Sequence, residues 1–170
     1  PVADAKGIHG ILLSGGSAFG LDAAGGVMKY LEERDIGFDV GITKVPLICQ
    51  SSLFDLAVGS KDARPDQKMG YAACEAATKA PMQEGNVGAG CGCTVGKYHG
   101  AGCMKSGIGT YALQLGEIRV GAIVAVNALG DVYDIDTGKK LAGALDENGN
   151  LLPSEMEYFE DALKMQNFFN

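Results

Sequence analysis

The sequence has no tryptophan, only two histidines, five prolines and few aromatic residues of any kind. With His9 and His99 as the sole imidazoles, a Ser-His-Asp triad would rest on one of two residues with no supporting local pattern. A zinc site would have to draw on Cys74, Cys103, His9 or His99 around the Cys91-x-Cys93 pair. Neither a paired C-x-x-C spacing nor a histidine pair is present, so no metal and no cofactor is expected. Basic residues are also scarce, 14 against 21 acidic ones, for a net charge of -7. Clustered Lys and Arg are what phosphate contacts need, so nucleic acid is not an expected partner. No apolar run approaches the ~20 residues of a membrane span, and no signal-peptide pattern is visible, so no membrane association is expected. Five cysteines, an odd number, read as reduced thiols in a cytoplasmic protein, packed as small buried hydrophobes.

What the sequence has in abundance is glycine, 26 residues of 170, nine of them between Gly85 and Gly109. That run is interleaved with Val87, Val95, Tyr98 and Ile108, which a flexible linker would lack. It is expected to form a strand over about Val87–Gly96 that another layer approaches closely. Further strands are expected at Ile8–Ser14, within Phe38–Cys49, and at Gly107–Leu115, Ile118–Val126 and Val132–Ile135. Leu115-Gly116-Glu117 reads as the turn joining two of them. Helical spacing of Leu21, Ala24, Val27, Met28 and Leu31 predicts a helix from about Leu21 to Arg34, stopped by Gly37. Gly25 and Gly26 inside it are expected to pack tightly onto a sheet. A second helix, rich in alanine, is expected over Gln67–Lys79. A third opens at the capping box Ser154/Glu157 and runs to about Met165. At 170 residues, one domain is the natural expectation, with sheets covered by helices.

Two places could carry chemistry. The Ser14–Gly20 stretch (SGGSAFG) joins a strand to a helix, where backbone N–H groups can hold an anion. It matches neither a Walker loop, nor G-x-G-x-x-G, nor the G-x-S-x-G elbow. Ser17 therefore reads as a helix N-cap and not as a nucleophile. Asn127 ends an otherwise apolar strand and precedes the turn Ala128-Leu129-Gly130-Asp131. A side-chain amide there can donate to a developing oxyanion, and it can equally begin a turn.

Three motifs in order, SGGSAFGLDAAGGVMKYLEERDIGFDVG, GNVGAGCGCTVGK and VGAIVAVNALGDV, closely resemble the self-processing L-aminopeptidase/D-esterase family over nearly the whole chain. The resemblance implies an α+β fold, an αββα sandwich shared with ornithine acetyltransferases. It implies an N-terminal-nucleophile hydrolase whose precursor cuts itself before a Ser or Thr, which becomes the nucleophile at the start of a separate β chain. By the same resemblance Asn127 supplies an oxyanion donor, and Asn170 precedes the scissile bond. Gln50 and Ser52 stand near the substrate-binding segment, where characterised aminopeptidases carry a Glu that holds the substrate's amine. The start at Pro1 without Met and the end at Phe168-Phe169-Asn170 suggest that residues 1–170 are the α chain of such a pair. The expected substrate is a small peptide, amide or ester, and the expected assembly is a homo-oligomer of α–β pairs. The alternatives are an acyltransferase of the ornithine-acetyltransferase type and a non-catalytic module that kept the fold.

Overall fold

The apolar run after His9 forms strand β1 (Gly10–Ser14) in a computed structural model that describes residues 5–99, 102–154 and 159–160. The chain divides into two compact units: residues 1–83 with 87–92, and residues 84–86 with 93–170.

In the first unit, β1 leads through a tight 3-10 turn, Ser17–Asp22, into helix α1 (Ala23–Glu32). A small hairpin follows, β2 (Phe38–Asp39) against β3 (Lys44–Val45). Strand β4 (Ile48–Ser52) then returns parallel to β1, in register from Gly10↔Ile48 to Ser14↔Ser52. Helix α2 (Gln67–Ala76) follows. It is capped by Asp66, whose carboxylate accepts from Met69 N at 2.8 Å, satisfying one of the orphan donors of its first turn.

The buried residues of α1 are Ala23, Gly26 and Val27, whereas Leu21 and Met28 are exposed. The reason lies in the crossing with α2. A Cβ on Gly26 would lie 1.8 Å from Gln67 O, and one on Gly70 would lie 2.0 Å from Ala23 O. The two helices touch backbone to backbone, so Gly26 packs onto α2 and not onto the sheet expected from sequence. Val27 and Leu31 cover β1 at Gly10. Gly26→Val is therefore expected to lower stability by at least about 1–3 kcal/mol, the usual range for overpacking. Denaturant melts of the two proteins check this, and coincident midpoints would disprove the crossing.

Two sequence expectations about helix ends are corrected. Ser17 does not cap with its side chain: it has φ 54°, follows Gly16 at φ 83°, and makes no capping hydrogen bond. Helix α1 ends before Gly37, because Asp35 adopts φ 59°. Ile36 N reaches Leu31 O (3.0 Å) and Asp35 N reaches Glu32 O (2.9 Å). That is a Schellman closure with Asp in the place usually taken by glycine.

The middle of the glycine run, Ala89, Gly90 and residues 92–96, is buried, but it is not a long strand. Gly88–Gly92 forms a 3-10 turn in the first unit. The second unit opens with only two strand residues, β5 (Thr94–Val95), antiparallel to β6 (Met104–Lys105). The long hairpin of β7 (Ile108–Leu115) and β8 (Ile118–Ala125) lies where the sequence placed it. Its turn carries Gly116 at φ 59°, as a type II′ two-residue loop requires. β9 (Val132–Tyr133) and β10 (Lys140–Ala142) form a last antiparallel pair. The core of this unit is Cys93, Val95 and Ala144, all fully buried. The Asp131 side chain is also fully enclosed. It is ion-paired with Lys140 and accepts from Tyr98 Oη at 3.0 and 3.1 Å and from Ala144 N at 3.3 Å.

Of the five cysteines only Cys93 is buried; Cys49, Cys91 and Cys103 are exposed and Cys74 half-buried. Among the described residues no three or more His, Cys, Asp or Glu side chains gather as a metal site. Nor is any described helix long and apolar enough to cross a membrane. The expected helix from Ser154 to Met165 lies mostly outside the described residues, as does Asn170.

Candidate active site

β8 carries its apolar residues up to Ala125, and Val126 N donates to Gly107 O (2.9 Å), leaving Asn127 at the strand's end. The Asn127 side chain is held from one side by two donors. Thr94 N, at the start of β5, reaches Oδ1 at 3.1 Å, and Lys97 Nζ reaches it at 3.0 Å. Because both partners donate, the amide is oriented with its oxygen toward them and Nδ2 as the donor end. The backbone secures the same arrangement: Lys97 N donates to Leu129 O (2.7 Å) and Gly96 N to Gly130 O (2.9 Å). The turn after Asn127 is thereby stitched to the Thr94–Lys97 segment, so the side chain is positioned by two non-contiguous pieces of chain.

Lys97 is the residue that sequence reasoning missed. Its half-buried ammonium also donates to the carbonyls of Thr94, Asn127 (3.1 Å) and Ala128 (2.9 Å), which replaces its hydration with fixed dipoles. Burial lowers its pKa below the ordinary lysine value, partly offset by the Cys103 and Cys93 thiols. The available signal was TVGK, a lysine directly after a glycine turn inside an otherwise apolar stretch.

The sign of the pH effect follows. The unfolded chain holds a proton on this lysine up to about pH 10.4, and the folded chain releases it earlier. Between the two values the unfolded state binds more protons, so this group makes stability rise with pH there. Followed into that alkaline window, the wild-type denaturation midpoint is expected to rise relative to that of Lys97→Met, which lacks the titrating group. Identical slopes would remove the assignment.

In the first unit, Gln50 and Ser52 come together on β4 beside Ser14 at the end of β1. Gln50 Nε2 donates to Ser14 Oγ (2.9 Å), Ser52 Oγ (3.2 Å) and Gly20 O (2.7 Å), and the two serine hydroxyls are 2.8 Å apart. A carbonyl can only accept, so Gly20 O fixes the amide's orientation. Gln50 Oε1 is then buried without a hydrogen-bond partner among the described residues. Next to this cluster Asp55 braces the Ser14–Gly20 loop: its carboxylate accepts from Gly16 N at 2.7 Å. It also fills the space a side chain would need at Gly15 and Gly92, where a Cβ would lie 2.0 and 2.1 Å from Oδ2. His9 is used structurally, its Nδ1 accepting from Leu47 N at 3.1 Å.

A side-chain amide held by its oxygen at a strand end is the type of group that can donate to negative charge developing on an oxygen in acyl transfer. Residues 4–152 match peptidase family S58, and the chain belongs to that family. It is 42% identical over 143 residues to an uncharacterised aminopeptidase of Mycobacterium leprae, covering 81% of this chain and 39% of that protein. It is 32% identical over 126 residues to the 6-aminohexanoate-oligomer endohydrolases of a Kocuria species and of Paenarthrobacter ureafaciens, covering 74% of this chain and 35% of each of theirs. The chain thus spans roughly two fifths of the length of these relatives.

Proposed function

We propose that residues 1–170 belong to a self-processing amide hydrolase with an αββα sandwich, completed by a second polypeptide from the same precursor. The observation that carries this reading is the Asn127 amide, oriented by Lys97 Nζ and Thr94 N. A Ser or Thr hydroxyl at the start of the second polypeptide attacks the substrate carbonyl, while its own α-amine takes the proton, as in N-terminal-threonine catalysis. Asn127 Nδ2 donates to the oxyanion, the C–N bond breaks as the proton passes to the departing amine, and water then hydrolyses the ester. The same hydroxyl makes the second polypeptide by attacking the carbonyl before it, with Asn170 as that preceding residue. Five cysteines, an odd number, fit a reducing compartment.

Intact-mass measurement and N-terminal sequencing of the whole gene product test the reading. The expected result is two polypeptides, the second beginning with Ser or Thr directly after Asn170. A single uncut and fully active chain would overturn it.

A second reading is favoured by Gln50. Its neutral amide gives a substrate ammonium no counter-charge, and relatives at 32% identity are named endohydrolases. In this reading internal amide bonds of short linear chains are cut and no free amine is required. Alanine p-nitroanilide and its N-acetyl derivative separate the two. An N-terminal hydrolase prefers the free amine in kcat/KM by tenfold or more, and an endo-acting one shows no such preference.

A further inference from the structure

Asn127 is held by the Thr94–Lys97 segment, and that segment must itself be fixed. Two backbone bonds tie it to the turn after Asn127: Lys97 N to Leu129 O (2.7 Å) and Gly96 N to Gly130 O (2.9 Å). Such bonds set the spacing of the two segments, but a carbonyl accepts over a broad range of angles. They therefore resist a slide of one segment along the other less well. Tyr98 and Asp131 stand one residue outside these bonds, at opposite ends, and their side chains meet. Tyr98 Oη donates to Asp131, 3.1 Å from Oδ1 and 3.0 Å from Oδ2. In the order of the pairing this contact runs diagonally, the direction that opposes a slide.

Asp131 is suited to be the fixed end of that diagonal. Its carboxylate is fully enclosed, is ion-paired with Lys140, and accepts from Ala144 N at 3.3 Å. Residues 143 and 144 close on both segments. A Cβ on Gly143 would lie 2.0 Å from Asp131 Oδ1, and one on Gly96 would lie 1.9 Å from Ala144 N. Little room is left for the carboxylate to follow Tyr98. Tyr98 is the movable end, in the single 3-10 turn Lys97–His99, a form whose own hydrogen-bond geometry is poor. Its ring centroid is 6.1 Å from that of Phe159, and its hydroxyl is 3.3 Å from Pro153 O. The hydroxyl has one proton to give, and the charged carboxylate is the stronger acceptor.

We propose that the Tyr98 hydroxyl, braced on Asp131, is a positioning residue for the Asn127 amide. It keeps Gly96 and Lys97 level with the turn at 128–131, so that Lys97 Nζ and Thr94 N hold Oδ1 with Nδ2 facing a developing oxyanion. This rests on the reading above, in which Asn127 serves that oxyanion. In this role Tyr98 touches no reacting atom and acts through the amide. A misplacement of about 1 Å, arising away from the chemistry, can cost about 100-fold in rate. One hydroxyl with a modest share in stability can therefore carry a large share of turnover.

The experiment uses the whole gene product and an anilide substrate, alanine p-nitroanilide or its N-acetyl derivative, whichever is cleaved faster. Steady-state rates are counted per processed molecule, well below every melting midpoint, for wild type, Tyr98→Phe, Asn127→Asp and the double variant. Phenylalanine keeps the ring beside Phe159 and removes the hydroxyl alone. Tyr98→Phe is expected to lower kcat about 10-fold with KM changed by less than about twofold, the pattern of an interaction lost in the transition state. In the Asn127→Asp background the same change is expected to lower kcat by less than about twofold, because the donor it positions is already gone. Tyr133→Phe is the control. Its hydroxyl also approaches Asp131 Oδ2, to 3.5 Å, but it belongs to β9 and not to the segment that holds Asn127. It is expected to leave kcat within about twofold of wild type. A wild-type kcat in Tyr98→Phe, a rise in KM in place of the fall in kcat, an equal loss in the Asn127→Asp background, or the same loss in Tyr133→Phe each overturns the proposal. If Asn127→Asp itself turns over normally, the oxyanion reading falls and this inference with it. If Asn127→Asp is slow and Tyr98→Phe is normal, only the brace falls.

Discussion

Asn127→Asp in the whole gene product is expected to leave the fold standing and to slow turnover by about 100- to 1,000-fold, the usual loss for one oxyanion donor. The substitution keeps an oxygen where Thr94 N (3.1 Å) and Lys97 Nζ (3.0 Å) donate, and it gives the lysine a counter-charge. What it removes is the N–H₂ end. Self-cleavage is expected to slow with turnover, since both pass through a tetrahedral oxyanion. From sequence alone Asn127→Ala is the obvious variant, expected to fold normally, but the structure argues against it. Truncation strands the N–H of Thr94, a residue 6% exposed, and a buried donor left unsatisfied costs about 1–3 kcal/mol. A fall in rate with alanine would then mix chemistry with stability. The measurement pairs melting temperature with rate per processed molecule. If Asn127→Asp turns over normally, the residue only shapes a turn, and the active-site assignment goes with it.

Asp131→Ala is expected to cost about 3–5 kcal/mol of stability, the range for breaking a buried ion pair by removing one partner. The carboxylate is fully enclosed, and Lys140, only 15% exposed, is its counter-ion. Tyr98 Oη and Ala144 N, both donors to it, would be left facing an apolar side chain. Lys140 keeps its bonds to Leu152 O (2.8 Å) and Pro153 O (2.9 Å), but its charge would have no counter-ion in that cluster. Against a typical net stability of about 5–15 kcal/mol, this loss would unfold a large part of the population in mild denaturant. Urea unfolding followed by circular dichroism gives the number. A midpoint unchanged from wild type would show that the cluster is ornamental. Asp131→Asn, which keeps the acceptor oxygen for Tyr98 or Ala144, is expected to lose less.

Elements with a local signal were legible in the residues alone. The turn at Gly116 set the β7–β8 hairpin almost to the residue, and the helical spacing of Leu21, Ala24, Val27, Met28 and Leu31 located α1, although Leu21 and Met28 are exposed. The place of Asn127 after an apolar strand was equally legible, because a polar residue ending such a run is visible without any partner. Tertiary structure decided the rest. Val87–Gly96 reads as a strand by composition, yet it closes into a 3-10 turn at Gly88–Gly92, where the Asp55 carboxylate occupies the space beside Gly92. Gly25 and Gly26 announced a close approach, but only the fold shows that Gly26 meets the backbone of α2. Lys97 had no pattern of its own. It becomes part of the site because Gly96 and Lys97 donate to the turn after Asn127, which carries its ammonium among carbonyls thirty and thirty-one residues away in sequence. Local periodicity fixes which residues can share a face, whereas the partner of a buried charge is set by contacts between distant segments, which no short window of sequence contains.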